Sequence, residues 1–459
     1  MDTLNFKEQE EQDFSYLNGA RIAAVKILSR FERSDSYLDK LIYHELKKTK
    51  LSSLDTAFLY ELVNGVIRWK EKLDYVLVGF YHGDYMKLLN IIKNALRVGL
   101  YQIMFLDKIP VHAAVNESVE YIKKIQGERT ANIANGVLRN IDRNVDNIRF
   151  PDKNSDPIYH FSVVFSHPRW MVRRWEQRFS REELEELLYI NNKRPYVPIR
   201  VNTLLSNVDE IRKVLDENGF TYFVSDYNPS SFIVKNPKMD ISSLSIFKEG
   251  KITIQDPSAS MAAKLTNAKA GDFVIDTCAA PGGKSFYIAE MTGDNCNIFS
   301  LDKYETKLRQ IDENKERLKL KSINTMVGDA ESVTFEEQAD IVLCDVPCSG
   351  LGTLSKKPDI KWKRDIDDIY ILSGVQKRIL QHASELVKPG GALIYSTCTI
   401  EPEENREVIE RFLKKNPEFE IDPAENYLPL EVCNNGCMET YLHRHFIDGA
   451  FAVRMIKKV

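Results

Sequence analysis

At 459 residues the chain is too long for one ordinary hydrophobic core, so two to three domains are expected. Its 43% hydrophobic and 28% charged residues are a globular mixture, and no apolar run approaches the length needed to span a bilayer. A net charge of −4 excludes a surface that is basic throughout, but nucleic-acid binding needs only a local positive groove. Residues 2–13 are polar and acidic rather than a secretory signal, so a soluble, cytoplasmic protein is expected. The 7 cysteines are odd in number and lack the spacing of a disulfide framework, which points to reduced thiols.

Residues 1–150 read as helix throughout. Ala20, Ala23, Ala24, Ile27, Leu28 and Phe31 recur at helical spacing. A second stripe, Phe58, Leu59, Leu62, Val63, Val66 and Ile67, follows the capping candidates Ser52, Ser53 and Asp55. Further stripes begin at Leu89 and Ala113, and together they predict a helical bundle. Residues 151–168, with Pro151, Asp152, Asn154, Asp156 and Pro157, read as a linker. From 169 to 250 a small α+β segment is expected, with strands at 198–202, 220–224 and 232–235 and a helix over 206–218 stopped by Gly219.

From 251 to 459 strands and helices alternate. Apolar runs at 273–276, 297–302, 324–327, 341–345 and 392–397 predict a mostly parallel sheet covered on both faces, with a late strand at 450–455. Ligands of such sheets bind outside the carboxyl ends of the strands. There lie Cys278-Ala279-Ala280-Pro281-Gly282-Gly283-Lys284, then Asp302, Asp329, Asp345-Val346-Pro347-Cys348 and Ser396-Thr397-Cys398. The glycine-rich loop matches neither a dinucleotide fingerprint nor a phosphate loop, so pyrophosphate is not indicated. Asp302 is placed to take ribose hydroxyls and Asp329 an adenine amino group, which favours S-adenosylmethionine, a nucleoside cofactor without phosphate.

A strand-end position favours a chemical role for Cys348 and Cys398, whereas Cys278, Cys296 and Cys344 read as structural thiols. A helix is expected to begin over 399–405, directly after Cys398. A methyl donor and a thiolate together suit methylation of a pyrimidine at C5. That carbon becomes nucleophilic once sulfur adds at C6, with Asp345 supporting charge at N3.

These same motifs resemble the RNA cytosine-5 methyltransferase superfamily. With the helical region, which looks like a NusB-type domain, they resemble the bacterial Sun/Fmu family of 16S rRNA cytosine-5 methyltransferases over nearly the whole chain. The resemblance implies three parts: an all-α NusB-like bundle that binds RNA, a small RRM-like α+β segment that also binds RNA, and a Rossmann-like methyltransferase domain. It implies Cys398 as nucleophile and Cys348 as the residue assisting product release. It also implies that Cys278, Ala279, Ala280, Pro281, Gly282, Gly283, Lys284, Asp302, Asp329 and Asp345 line the cofactor site. The expected partner is 16S rRNA, met by a monomer with no obligatory protein partner and no membrane.

For RNA contact, Arg169, Trp170, Arg173, Arg174 and Trp175 form one candidate run, and Lys356, Lys357, Lys361, Trp362, Lys363 and Arg364 another. Three rivals stand beside this reading. In DNA cytosine-5 methyltransferases the Pro-Cys cysteine is the nucleophile, which would be Cys348. Cys433, Cys437, His443 and His445 could hold zinc, although their spacing matches no standard site, so no metal is assigned. A non-enzymatic RNA-binding protein rests on the helical region alone. Action on another rRNA site or on tRNA also stays open.

Overall fold

The computed structural model describes residues 19–459 apart from 236 and 238; the acidic stretch 2–13 lies outside the described residues. The chain divides into two compact units. One holds everything up to Asn192 together with the short segment Lys357–Arg364, and the other holds Lys193–Lys356 and Asp365–Val459.

The first unit is helical. Helices Gly19–Phe31, Leu38–Leu46, Ser53–Arg68, Lys70–Phe80, Asn90–Phe105, Val111–Gln126 and Glu128–Asn144 pack their apolar stripes into one core. Ser52 caps its helix by accepting from Asp55 N. The expected linker is instead partly helical. Asp156 caps a helix over Pro157–Val164, whose Phe161 and Val163 are buried, so 151–168 cannot act as a free tether.

The segment 357–364 also departs from expectation. Lys361 has no exposed surface; its ammonium donates to Arg68 O, Ser166 O and Asn192 Oδ1. Trp362 Nε1 donates to Ile67 O, and Asp359 Oδ2 accepts from Leu38 N. Lys361 is therefore corrected from an RNA contact to an interior anchor of the helical unit, and Trp362, half-buried, packs against the same core. Trp175 is likewise fully buried. Arg173 and Lys357 remain exposed, and Arg174 is half-buried.

The second unit contains two sheets. Strands β1 (Val197–Val201), β2 (Thr221–Ser225), β3 (Asn228–Lys235) and β4 (Ile252–Ile254) form an antiparallel sheet in the order β2-β3-β1-β4. Helix Val208–Glu217 covers one face and buries Ile211 and Leu215 against Ile199, Phe232 and Val234. Because β4 pairs with β1, the small sheet extends beyond the expected boundary at 250.

The large sheet holds β5 (Phe273–Asp276), β6 (Asn297–Asp302), β7 (Ile323–Val327), β8 (Ala339–Asp345), β9 (Val387–Thr397), β10 (Phe419–Asp422), β11 (Cys433–Asn434), β12 (Cys437–Thr440) and β13 (Ala450–Lys457). Strands β7-β6-β5-β8-β9 are parallel, β13 pairs antiparallel with β9, and β10 and β12 both pair with β13. The central strands β5 and β8 are buried on both faces, which is why they read as near-continuous apolar runs. Strand order reverses between β5 and β8, and that crevice is where such sheets bind ligands. Cys433 and Cys437 sit in the hairpin β11-β12, with Cys437 buried, and the described residues contain no group of metal-ligand type.

Candidate active site

The turn after β5 is suspended between its two neighbours. Thr277 N donates to Leu343 O at 2.9 Å on the β8 side, and Ala279 N to Leu301 O at 2.7 Å on the β6 side. Gly282 has φ +102°, and a Cβ there would lie 2.3 Å from the Phe286 ring, so only glycine fits. Helix Gly283–Met291 starts from it. Beneath, Ser300 Oγ donates to Ser285 Oγ at 2.8 Å and Ser285 Oγ to Asp276 Oδ2 at 2.6 Å. Burial raises the Asp276 carboxyl to about 7; the Ser285 hydrogen bond opposes that rise and Asp345 adds to it.

Lys284 crosses from this turn to β8. Its Nζ lies 2.5 Å from Asp345 Oδ2, while Ser396 Oγ donates to Asp345 Oδ1 at 2.8 Å. Burial alone would lower the Lys284 ammonium, but Asp345, then Cys398 and Asp276, outweigh it and raise it.

The two thiols close the site. Cys348 Sγ lies 3.2 Å from Cys398 Sγ and also accepts from Cys398 N at 3.4 Å. Cys398 is exposed and Cys348 half-buried. The hydrogen bond to Cys398, then burial and the Cys398 and Glu404 charges, push the Cys348 thiol well up. Burial also pushes Cys278 well up and Cys344 to about 12.

Glu404 locks the two cysteine loops together, which the sequence reading missed. Its carboxylate accepts from Ser349 N at 2.8 Å, from Ser349 Oγ, and from Gln376 Nε2 at 2.9 Å, while Gln376 Nε2 also reaches Pro347 O. The helix expected over 399–405 is instead a short 3₁₀ turn, Pro402–Glu404, and the α-helix starts at Arg406. Lys284, not a helix terminus, is the positive group beside Cys398. An acidic run after the Thr-Cys motif was the only sequence signal for Glu404.

Asp302 and Asp329 end β6 and β7. Asp302 is nearly buried and accepts from Tyr304 N at 3.0 Å and Lys307 Nζ at 3.2 Å. Asp329 accepts from Lys303 Nζ at 2.9 Å, which holds its carboxyl down. On the far side of the thiols, Lys356 bridges Asp256 and Asp448. Gly449 N then donates to Gly352 O, and Gly352 N to Cys398 O at 3.1 Å. This second cluster was also missed, because its residues lie up to 192 positions apart.

Three family models match the chain in order. They are the NusB family over 18–143, the ferredoxin-like domain of RsmF/B-like methyltransferases over 167–242, and the 16S rRNA methyltransferase RsmB/F over 263–456. The probable ribosomal RNA small subunit methyltransferase B of Bacillus subtilis (strain 168) is 36% identical over 446 residues, covering 95% of this chain and 98% of that protein. The chain belongs to the RsmB/F family.

The crystal structure of PH0851 is similar to this RsmB/F chain, with TM-score 0.80 at 26% identity over 95% of this chain and 98% of that one. NSun6 from Pyrococcus horikoshii, crystallised with SFG, shares the fold at TM-score 0.57 and 21% identity over 63% of this chain and 98% of that one. The RsmB/F chain is accordingly an rRNA methyltransferase, of an RNA cytosine-5 class that uses S-adenosylmethionine. Its bundle is NusB-type and its small sheet ferredoxin-like. No helix among its described residues is long and apolar enough to cross a membrane.

Proposed function

We propose that this RsmB/F protein methylates C5 of a specific cytosine in 16S rRNA, using S-adenosylmethionine and a covalent bond between Cys398 and C6. The observation that carries it is the pair of thiol sulfurs 3.2 Å apart, beside the Lys284–Asp345 ion pair. The residues suit the cofactor. The Gly282 turn starts helix Gly283–Met291 at the end of β5, and Asp302 and Asp329 offer carboxylates suited to hydroxyl and amino donors rather than to phosphate. When bound, the cofactor supplies an electrophilic methyl group.

The Cys398 thiolate adds to C6 and breaks the C5=C6 π bond. As charge builds on the ring, the Lys284–Asp345 pair passes a proton to N3 and takes it back when the ring is restored. With cofactor bound, the enamine electrons would form the C5–methyl bond as the bond from that methyl to its sulfonium sulfur breaks. Once Cys398 is a thioether it carries no charge, so that opposition to ionising Cys348 is removed. Cys348 can then release its proton to solvent and take the proton from C5. Those electrons restore C5=C6 and expel the Cys398 thiolate.

The exposure of Cys398 and the half-burial of Cys348, whose thiol Cys398 and burial push up, favour this assignment over attack by Cys348. The test is to map 5-methylcytosine in 16S rRNA incubated with full-length protein and cofactor, and to repeat it with 5-fluorocytosine at the methylated site. Methylation together with a trapped protein–RNA adduct supports the reading. Methylation without an adduct would remove covalent catalysis, and no methylation would remove the reading altogether.

A further inference from the structure

The ferredoxin-like sheet buries one face under helix Val208–Glu217. On the other face, Arg200 is sealed against Glu290. Ser231, Ile233 and Thr253 on that face are buried too, but its β2 edge is open. Phe223 pairs across from Ile233, with Lys235 at the adjoining position of β3. Tyr196, just before β1, stands beside them; its ring lies 6.0 Å from that of Phe223, at 87°. Tyr196 is 39% and Phe223 36% exposed. Lys235 Nζ lies 5.3 Å from the Phe223 centroid and 5.8 Å from that of Tyr196, and makes no ion pair among the described residues.

Opposite stands the turn 444–447. Phe446 is 57% exposed and has φ +57°, a left-handed backbone that bulky side chains rarely adopt. Between the two walls lies a cleft of about 440 Å³, in the range of small-molecule sites. Its rim is wired to the thiols. Two residues after Phe446 comes Asp448, held by Lys356, and Gly449 N donates to Gly352 O, whose own N–H donates to Cys398 O.

Exposed rings with an unpaired ammonium between them are the elements that hold single-stranded nucleic acid, where bases stack on aromatic faces and cations take the phosphates. We propose that this cleft binds an unpaired nucleotide of the rRNA next to the target cytosine, with its base on Phe223 and Phe446 and its phosphate at Lys235. The proposal rests on the RNA methyltransferase reading and adds the means by which the target is held single-stranded near Cys398.

The test uses full-length Phe223→Leu, Phe446→Asn and Lys235→Gln variants with cofactor and a 16S rRNA fragment. The two aromatic side chains are exposed, and asparagine tolerates the backbone at 446, so thermal melts should match the wild type. Each variant should raise KM for RNA by on the order of tenfold, the factor lost with one stacked base, while cofactor affinity holds. With wild-type protein, one abasic substitution beside the target should cost the same factor. In the double variant Phe223→Leu with Phe446→Asn that substitution should cost nothing further. Unchanged KM in both aromatic variants, or losses that multiply in the combination, would overturn the cleft. If wild-type protein methylates no RNA the functional reading fails instead, and direct binding of the same fragments then decides the cleft by the same comparison.

Discussion

Arg200 of β1 and Glu290 of helix Gly283–Met291 form an ion pair with side chains 0% and 1% exposed. Both guanidinium NH groups meet the carboxylate, Nε donates to Gln255 Oε1 at 2.6 Å, and the guanidinium sits 4.3 Å from the Tyr287 centroid. The contact joins the ferredoxin-like sheet to the helix that starts at the Gly282 turn. Desolvation of two charges offsets much of their attraction, so the pair secures geometry more than stability.

Removing one partner strands a buried charge. Arg200→Met or Glu290→Leu alone should lower stability by roughly 3–5 kcal/mol. The double variant should lose far less. Urea denaturation of the three proteins checks this, and a double variant as unstable as the sum of the singles would contradict it.

The two thiols should separate on a denaturing gel. Cys398→Ala should neither methylate nor form an adduct. Cys348→Ala should form the C6 bond and release it slowly, so that protein–RNA adduct accumulates with ordinary cytosine. Adduct from Cys398→Ala with none from Cys348→Ala would reverse the roles.

Asp302 should matter for the cofactor alone. Asp302→Ala should weaken S-adenosylmethionine binding by about 1.5–3 kcal/mol, the usual worth of hydrogen bonds to a charged group. Calorimetry measures it directly, and unchanged affinity would remove Asp302 from the site.

Asp276 should show in the pH dependence of stability. Its carboxyl stands near 7 in the folded protein against 3.8 ordinarily, so between those values the folded state holds a proton that the unfolded state has released. Stability present below about pH 4 is therefore lost as pH rises toward 7. Asp276→Asn should flatten that slope, leaving the part due to Asp448, which burial raises in the same direction. An identical slope in variant and wild type would show that Asp276 is not protonated.

The sequence by itself determined the large sheet and its strand-end motifs. Strands buried on both faces must be largely apolar, and 273–275 and 341–344 carry that mark without help from their neighbours. Spacing also gave the helical bundle, because a buried stripe must repeat at the helical period. Exposure was beyond its reach. Lys361 and Trp175 have the residue types of an RNA surface, yet both are interior, and only packing decides whether a cation meets solvent or backbone carbonyls. Tertiary structure alone also brought Glu404 onto the Cys348 loop and Asp256, Lys356 and Asp448 into one cluster. Such contacts join residues far apart in the chain, and no local period records them.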